Sequence, residues 1–398
     1  MEELDPQHGW QNRTMDARYS RQLALPGFGV AGQEALANAR VLVIGAGGLG
    51  STVIPALAAA GVGTIGIVDD DVVELSNLHR QQVHDTADVG LAKVASARAR
   101  IAAMNPTTTV APVEERLTRV NALKLFDGYD LVLDGSDNFP TRYLANDAAV
   151  LTDIPLVWGS VSQYSGQAGV SWGITYRDLF PTPPPPGSVL SCEAGGVMPS
   201  TVAVIGSIMT GEAIKILTGI GEPLIGRVLI FDGLTASMRE LRYQRDPSAA
   251  PITALIDYQA FCGFDDAHPE EDSLHDTNTI GPTMDASAPA PTPNTVDASQ
   301  LAARHASVAR HEVTLLDVRE PWEAEVAQIA DSTLIPLGEL PGSLERIDKT
   351  RPVIVYCHHG VRSQRALDLL LSNGFDASHL TGGIDAWAAE REPDMARY

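Results

Sequence analysis

The stretch RVLVIGAGGLGSTVIPALAAAGVGTIGIVD, residues 40–69, decides how the first part of the chain folds. VLVI is an uninterrupted apolar run, as expected of a strand buried on both faces. GAGGLG (45–50) is a glycine turn, and STVIPALAAA reads as a helix of small residues ended by Gly61. TIGIVD is a second strand. Working outward, LAKVASARARIAAMN has a helical pattern, and YDLVLDGSDN is a third strand running into acidic and polar residues. Strands alternating with helices imply a parallel, doubly wound sheet, with ligands at the carboxyl ends of its strands.

The glycines Gly45, Gly47 and Gly50 fit G-x-G-x-x-G directly after a strand and at a helix start, and Asp69 ends the next strand. Glycines let backbone amides approach a phosphate, the helix N-terminus favours its charge, and the acid can bind ribose hydroxyls. Alone the loop says only nucleotide: NAD or FAD first, ATP second, or a structural tight turn. The residues beyond the loop shift the balance. Asn77 and Arg80 lie just past the second strand, Lys93 comes next in VGLAK, and Asp137 and Asn138 come after the third strand. Hydride transfer needs no such set. Breaking a phosphoanhydride does: cations offset charge on the transferring phosphorus, and a carboxylate can hold Mg²⁺. Each charge taken singly reads as a solvated loop residue; their collection at strand ends does not.

Composition sets the frame. A chain of 398 residues makes two or three domains, and 44% hydrophobic with 20% charged residues fits a globular protein. The net charge of −22 opposes binding to nucleic acid or anionic membranes over most of the surface. No run of eighteen apolar residues and no signal-peptide core is present, so the expected place is the cytoplasm. The cysteines, Cys192, Cys262 and Cys357, are odd in number and widely spaced, which fits free thiols in a reducing compartment. Residues 1–262 read as one α/β unit and 263–295 as an acidic, then Pro- and Ala-rich linker. From 296 to 398 the α/β alternation resumes as a small second domain.

The segments RYSRQLALPGFGVAGQEAL, VLVIGAGGLGS, VDDDVVELSNLHRQ and LDGSDNFPTRYLAND resemble those of ubiquitin-activating-type adenylyltransferases. Most similar are the bacterial enzymes that activate sulfur-carrier proteins for molybdopterin and thiamine synthesis. The resemblance implies a Rossmann-like adenylation domain, with ATP contacts at Gly45, Gly47, Gly48, Asp69, Ser76, Asn77, Leu78, Arg80, Lys93, Asp137 and Asn138. Asp137 would hold Mg²⁺, and Lys93 would act on the reacting phosphates. Arg21 would reach the ATP of a neighbouring subunit, since such enzymes work as homodimers. The implied substrate is the C-terminal Gly-Gly carboxylate of a small ubiquitin-like protein. Relatives commonly carry two Cys-x-x-Cys pairs on zinc. Here Thr175 and Asp178 stand at the first pair and SAAPI comes after Pro247, so no zinc site is expected. This departure is similar to the actinobacterial fused enzymes. Cys262 then reads as a buried structural thiol rather than a catalyst.

YCHHGVRS (356–363) places Cys357 in a Cys-x₄-Arg loop closed by Arg362. Backbone amides, a helix N-terminus and an arginine can together stabilise an anion in such a loop. A phosphatase loop is one residue longer; the shorter loop suits a sulfur atom on Cys357. Metal binding by Cys357, His358 and His359, or an inert buried thiol, are the other readings. LLDVREPWE (Asp317, Arg319, Glu320) and GGIDAW complete a resemblance to a single small α/β rhodanese domain. Cys357 would then take sulfur from a small-molecule or protein donor as a persulfide and deliver it to the acyl-adenylate. Cys192, in SVLSCEAGG, matches a position relatives use for covalent contact with the carrier; otherwise it is a small residue filling a turn. The rival functions are an NAD-dependent oxidoreductase, an adenylation-only enzyme, or a docking scaffold with a vestigial sulfurtransferase domain.

Overall fold

The computed structural model describes residues 17–184, 195–263 and 294–396. The chain divides into two compact units, Met1–Ser273 and Leu274–Tyr398. Most of the expected linker lies outside the described residues.

The first unit carries an eight-stranded sheet. Its strands are β1 (Arg40–Ile44), β2 (Thr64–Val68), β3 (Thr109–Val113), β4 (Leu131–Asp134), β5 (Leu156–Ser162), β6 (Ser165–Ser171), β7 (Arg227–Asp232) and β8 (Ser237–Arg242). The order is β3-β2-β1-β4-β5-β6-β7-β8. β1 to β5 pair in parallel and the remainder antiparallel. The main helices are α1 (Gly29–Asn38), α2 (Gly48–Ala60), α3 (Lys93–Met104), α4 (Phe139–Thr152) and α5 (Pro199–Thr218). Two features escaped the sequence reading. β3 (TVAPV) has Pro112 inside it, which an edge strand tolerates. In the antiparallel half β5 runs directly into β6 and β7 into β8, so within each pair no helix separates the strands.

β1 shows why its run is apolar throughout. Val41 and Val43 join the core on one face, with Leu57, Ile205 and Met209; Leu42 and Ile44 join the other, with Phe126, Tyr143 and Trp158. Burying each such aliphatic side chain contributes about 1.5–3 kcal/mol. Among the described residues one helix, α5, is long and apolar enough to cross a membrane. Here Val202, Ile205, Met209 and Ala213 of α5 line the first core. Because the strand order reverses between β1 and β4, the switch point of the sheet opens there, beside the glycine loop.

The second unit is a five-stranded parallel sheet of order β11-β10-β12-β13-β9. Its elements are β9 (Thr295–Val296), α6 (Ala298–Ala309), β10 (Thr314–Asp317), α7 (Pro321–Val326), β11 (Thr333–Leu334), β12 (Val353–Tyr356), α8 (Val361–Ser372), β13 (Ala377–Leu380) and α9 (Gly383–Glu390). β12 is central and wholly buried, and Cys357 stands just past its carboxyl end.

Candidate active sites

The glycine loop is held by its own backbone and from below. Gly45, at φ +88°, donates its amide to Val68 O at 2.8 Å. A Cβ on Gly50 would stand 2.0 Å from Gly45 O, so only glycine fits that position. The Ala46 peptide is fixed at both ends. Its N–H donates to Asp69 Oδ2 at 2.7 Å, and its carbonyl lies 3.1 Å from His84 Nε2. Asp69 Oδ1 accepts from the Asp71 amide at 2.8 Å. Burial pushes the Asp69 carboxyl above its ordinary range, against the pull of Lys93 and these two backbone bonds. Each oxygen keeps a second lone pair, so Asp69 can hold the loop and still accept from a ribose hydroxyl.

A cavity of about 360 Å³ opens over this loop, lined by Gly45, Gly47, Gly48, Asp69, Asn77, Arg80, Lys93, Asp137 and Asn138. Nine of the residues named from the sequence thus share one crevice. Ser76 and Leu78 do not line it. Ser76 serves indirectly: its carbonyl accepts from Arg80 Nη1 at 3.1 Å and its hydroxyl donates to Glu74. Lys93 opens α3 and pairs with Asp71 at 2.6 Å; the lysine side chain is 7% exposed and the aspartate 63%. Both line the cavity, the cation buried in its wall and the carboxylate open to solvent. Arg21 is exposed on a helical stretch and lies away from this cavity's lining. Cys192 lies outside the described residues.

The loop after β4 repeats the construction of the first. Asp134 is fully buried and accepts from the Ser136 amide at 2.9 Å. Arg142 of α4 donates to Ser136 O at 2.8 Å and to Gly159 O at 2.9 Å, and its Nε stands 3.5 Å from Asp134. Burial pushes Asp134 up, and Arg142 opposes the shift. On this fixed peptide Asp137 is exposed at the rim, and its carboxylate makes no hydrogen bond or ion pair with other described residues. Such an uncommitted oxygen donor fits a hard cation like Mg²⁺. Asn138 caps α4, accepting from the Thr141 amide at 2.9 Å. The sequence reading missed His84, Asp134, Arg142 and Gln81. Gln81 lines the cavity 3% exposed, with an Oε1 that has no partner among the described residues.

Thr175 and Asp178 form a hydrogen-bonded box at the start of a short helix. Asp178 Oδ1 also accepts from the Asp246 amide at 3.1 Å, so hydrogen bonds join the two segments. Cys262 is buried among Tyr143, Tyr176 and Phe261, and burial pushes its thiol up to about 11. A thiol so placed is inert at neutral pH.

In the second unit Cys357 is 1% exposed. Its Sγ accepts from the Gly360 amide at 3.1 Å, and Gly360 takes φ +109° to aim it. The start of α9 shapes the loop from outside. Ile384 N donates to Cys357 O at 2.8 Å and Asp385 N to His358 O at 3.2 Å. A Cβ on Gly383 would meet both carbonyls, at 2.4 and 2.2 Å. With these two carbonyls tied to α9, the loop turns the Gly360 amide toward the sulfur. Arg362 forms a bidentate pair with Glu323 of α7, both bonds at 2.6 Å. Asp317 and Arg319 form a fully buried pair that also takes the Tyr356 hydroxyl, so they brace the strand ends. His358 and His359 stack with centroids 3.9 Å apart, and burial, then His359, pushes His358 down to about 4.

The profile of the ThiF family matches residues 19–251, and that of the rhodanese-like domain matches residues 297–390. The chain belongs to the ThiF family. This ThiF-family chain is 47% identical over 392 residues to the probable adenylyltransferase/sulfurtransferase MoeZ of Mycobacterium tuberculosis, covering 96% of the chain and 95% of the relative. It is 39% identical over 411 residues to the adenylyltransferase and sulfurtransferase MOCS3 of Drosophila willistoni, covering 96% and 85%. The sulfur carrier protein adenylyltransferase of Thermus thermophilus is 49% identical over 269 residues, covering 64% of the chain and 98% of that protein. Among solved structures, Escherichia coli MccB with ATP superposes with a TM-score of 0.51 at 19% identity, covering 62% of this chain and 81% of that one, which shows a shared fold. This member of the ThiF family is an enzyme with adenylyltransferase and sulfurtransferase activity, and as an adenylyltransferase it uses ATP.

Proposed function

We propose that the chain activates the C-terminal Gly-Gly carboxylate of a ubiquitin-like sulfur-carrier protein and converts it to a thiocarboxylate. The observation that carries this is the pairing, in one chain, of a switch-point crevice bearing Arg80, Lys93 and Asp137 with a buried Cys357 whose Sγ accepts from the Gly360 amide. A carboxylate oxygen of the tail attacks the α-phosphorus, pyrophosphate leaves and an acyl-adenylate forms. Arg80 and Lys93 offset charge on the phosphates, and the clamped Ala46 and Ser136 peptides keep the two loop floors rigid. Asp137 would hold Mg²⁺, which neutralises phosphate charge when bound. Arg21 serves the crevice of the other subunit in a homodimer.

Cys357 takes a sulfur atom from its donor, and the terminal sulfur of the persulfide displaces AMP from the acyl carbon. A second thiol then breaks the acyl disulfide to release the thiocarboxylate, the role proposed for Cys192. The buried free thiols Cys262 and Cys357 fit a reducing, cytoplasmic setting. The test is to mix the enzyme with a Gly-Gly-ending carrier, ATP and thiosulfate, and to weigh the carrier. The expected product has one oxygen replaced by sulfur, preceded by an AMP-linked carrier. A carrier never found linked to AMP would sink the reading.

A further inference from the structure

Beneath Cys357 lies a chain of polar groups that neither the loop amides nor Arg362 explain. Cys357 Sγ is 3.5 Å from Ser363 Oγ, and Ser363 Oγ is 3.3 Å from His379 Nδ1. All three residues are buried: Ser363 is 0% exposed and His379 8%. We propose that Ser363 and His379 form a proton relay that removes the thiol proton of Cys357, so that the sulfur attacks its donor as the anion. This deepens, and rests on, the reading of Cys357 as the sulfur-accepting nucleophile.

A thiol 1% exposed has little water beside it to take its proton. Ser363 has one proton and two lone pairs. In the resting arrangement its hydroxyl donates to Gly360 O at 2.9 Å. Rotated toward His379, it accepts the thiol proton while passing its own to Nδ1. That step requires the tautomer whose proton is on Nε2. Burial holds the imidazole below its ordinary range, so at neutral pH it is uncharged and able to accept. β9 offers Thr295 and β12 offers Val355 as neighbours, neither charged; Asp368 of α8 is the carboxylate that pulls the imidazole back up.

The atoms balance. The proton moves from Sγ to Oγ and the serine proton from Oγ to Nδ1. The sulfur lone pair then bonds the outer sulfur of the donor, whose S–S bond breaks. With thiosulfate the leaving group is sulfite. The imidazolium gives its proton to solvent. Ser363 touches the reacting sulfur and is a catalytic residue; His379 acts through it as a positioning residue and proton acceptor.

The test uses the full chain and iodoacetamide, with mass mapping of the peptide that carries Cys357, across about pH 4.5 to 8. The alkylation rate is expected to fall as pH drops through a midpoint below 6.5, where His379 gains its proton. His379→Asn is expected to remove that step and slow alkylation at neutral pH about a hundredfold, the lower end for a positioned base. Ser363→Ala should do the same, and Ser363→Thr, which keeps the hydroxyl, should restore the step. A wild-type profile without the step overturns the relay, whatever happens to the folding of the variants. So does a step that survives in His379→Asn. Sulfur loading from thiosulfate that persists in Cys357→Ser would instead sink the underlying reading of Cys357.

Discussion

The adenylation crevice and the sulfur loop solve opposite problems. On the proposed reading the crevice must admit a nucleotide; Asp137 is exposed at its rim, and its rigidity lies underneath. There the Ala46 and Ser136 peptides are each gripped at both ends, by Asp69 with His84 and by Asp134 with Arg142. On the same reading the Cys357 loop accepts a single atom. It can bury its nucleophile and take its shape from backbone bonds to a neighbouring helix. A large guest demands side chains that reach; a small guest demands a lining of amides.

The strongest way to break this comparison is at the sulfur. Cys357→Ala is expected to abolish thiocarboxylate formation while leaving AMP transfer to the carrier intact. Thiocarboxylate at the wild-type yield would refute the assigned role. Next is the rim of the crevice: Asp137→Ala should slow pyrophosphate release about a hundredfold or more, because the phosphates lose their anchor. Near-normal release would show that Asp137 does not have the role proposed for it.

Below the floor the expected effect is on stability. Arg142→Met leaves the buried Asp134 carboxylate without its cation and should cost about 3–5 kcal/mol in denaturant unfolding. An unchanged midpoint would show the floor is held otherwise. The smallest effect sharpens the contrast between wall and water. Asp71→Asn frees Lys93 from an exposed partner, and pairs of this kind contribute about 0–1 kcal/mol. The KM for ATP in pyrophosphate exchange should drop by no more than about fivefold. A rise would mean that Asp71 orients Lys93 rather than competing for it.

The parts legible in the sequence were local. Gly45–Gly50, Asp69 and Cys357–Arg362 declare themselves because strand, turn and helix start succeed one another within a few residues. Arg142 was in plain view inside DGSDNFPTR, yet its charge reads as solvated, since sign alone does not report burial. His84, Gln81 and His379 acquire their places from strands and helices packed around them. β3 was hidden by Pro112, and the antiparallel strands by coming as the direct pairs β5–β6 and β7–β8.

The Cys357 loop is not a self-contained turn. Its first two carbonyls are tied to the start of α9, by Ile384 N on Cys357 O and Asp385 N on His358 O, and a Cβ on Gly383 would collide with both. A lesion in α9, remote in sequence from the cysteine, would therefore be felt as a change of shape around the thiol.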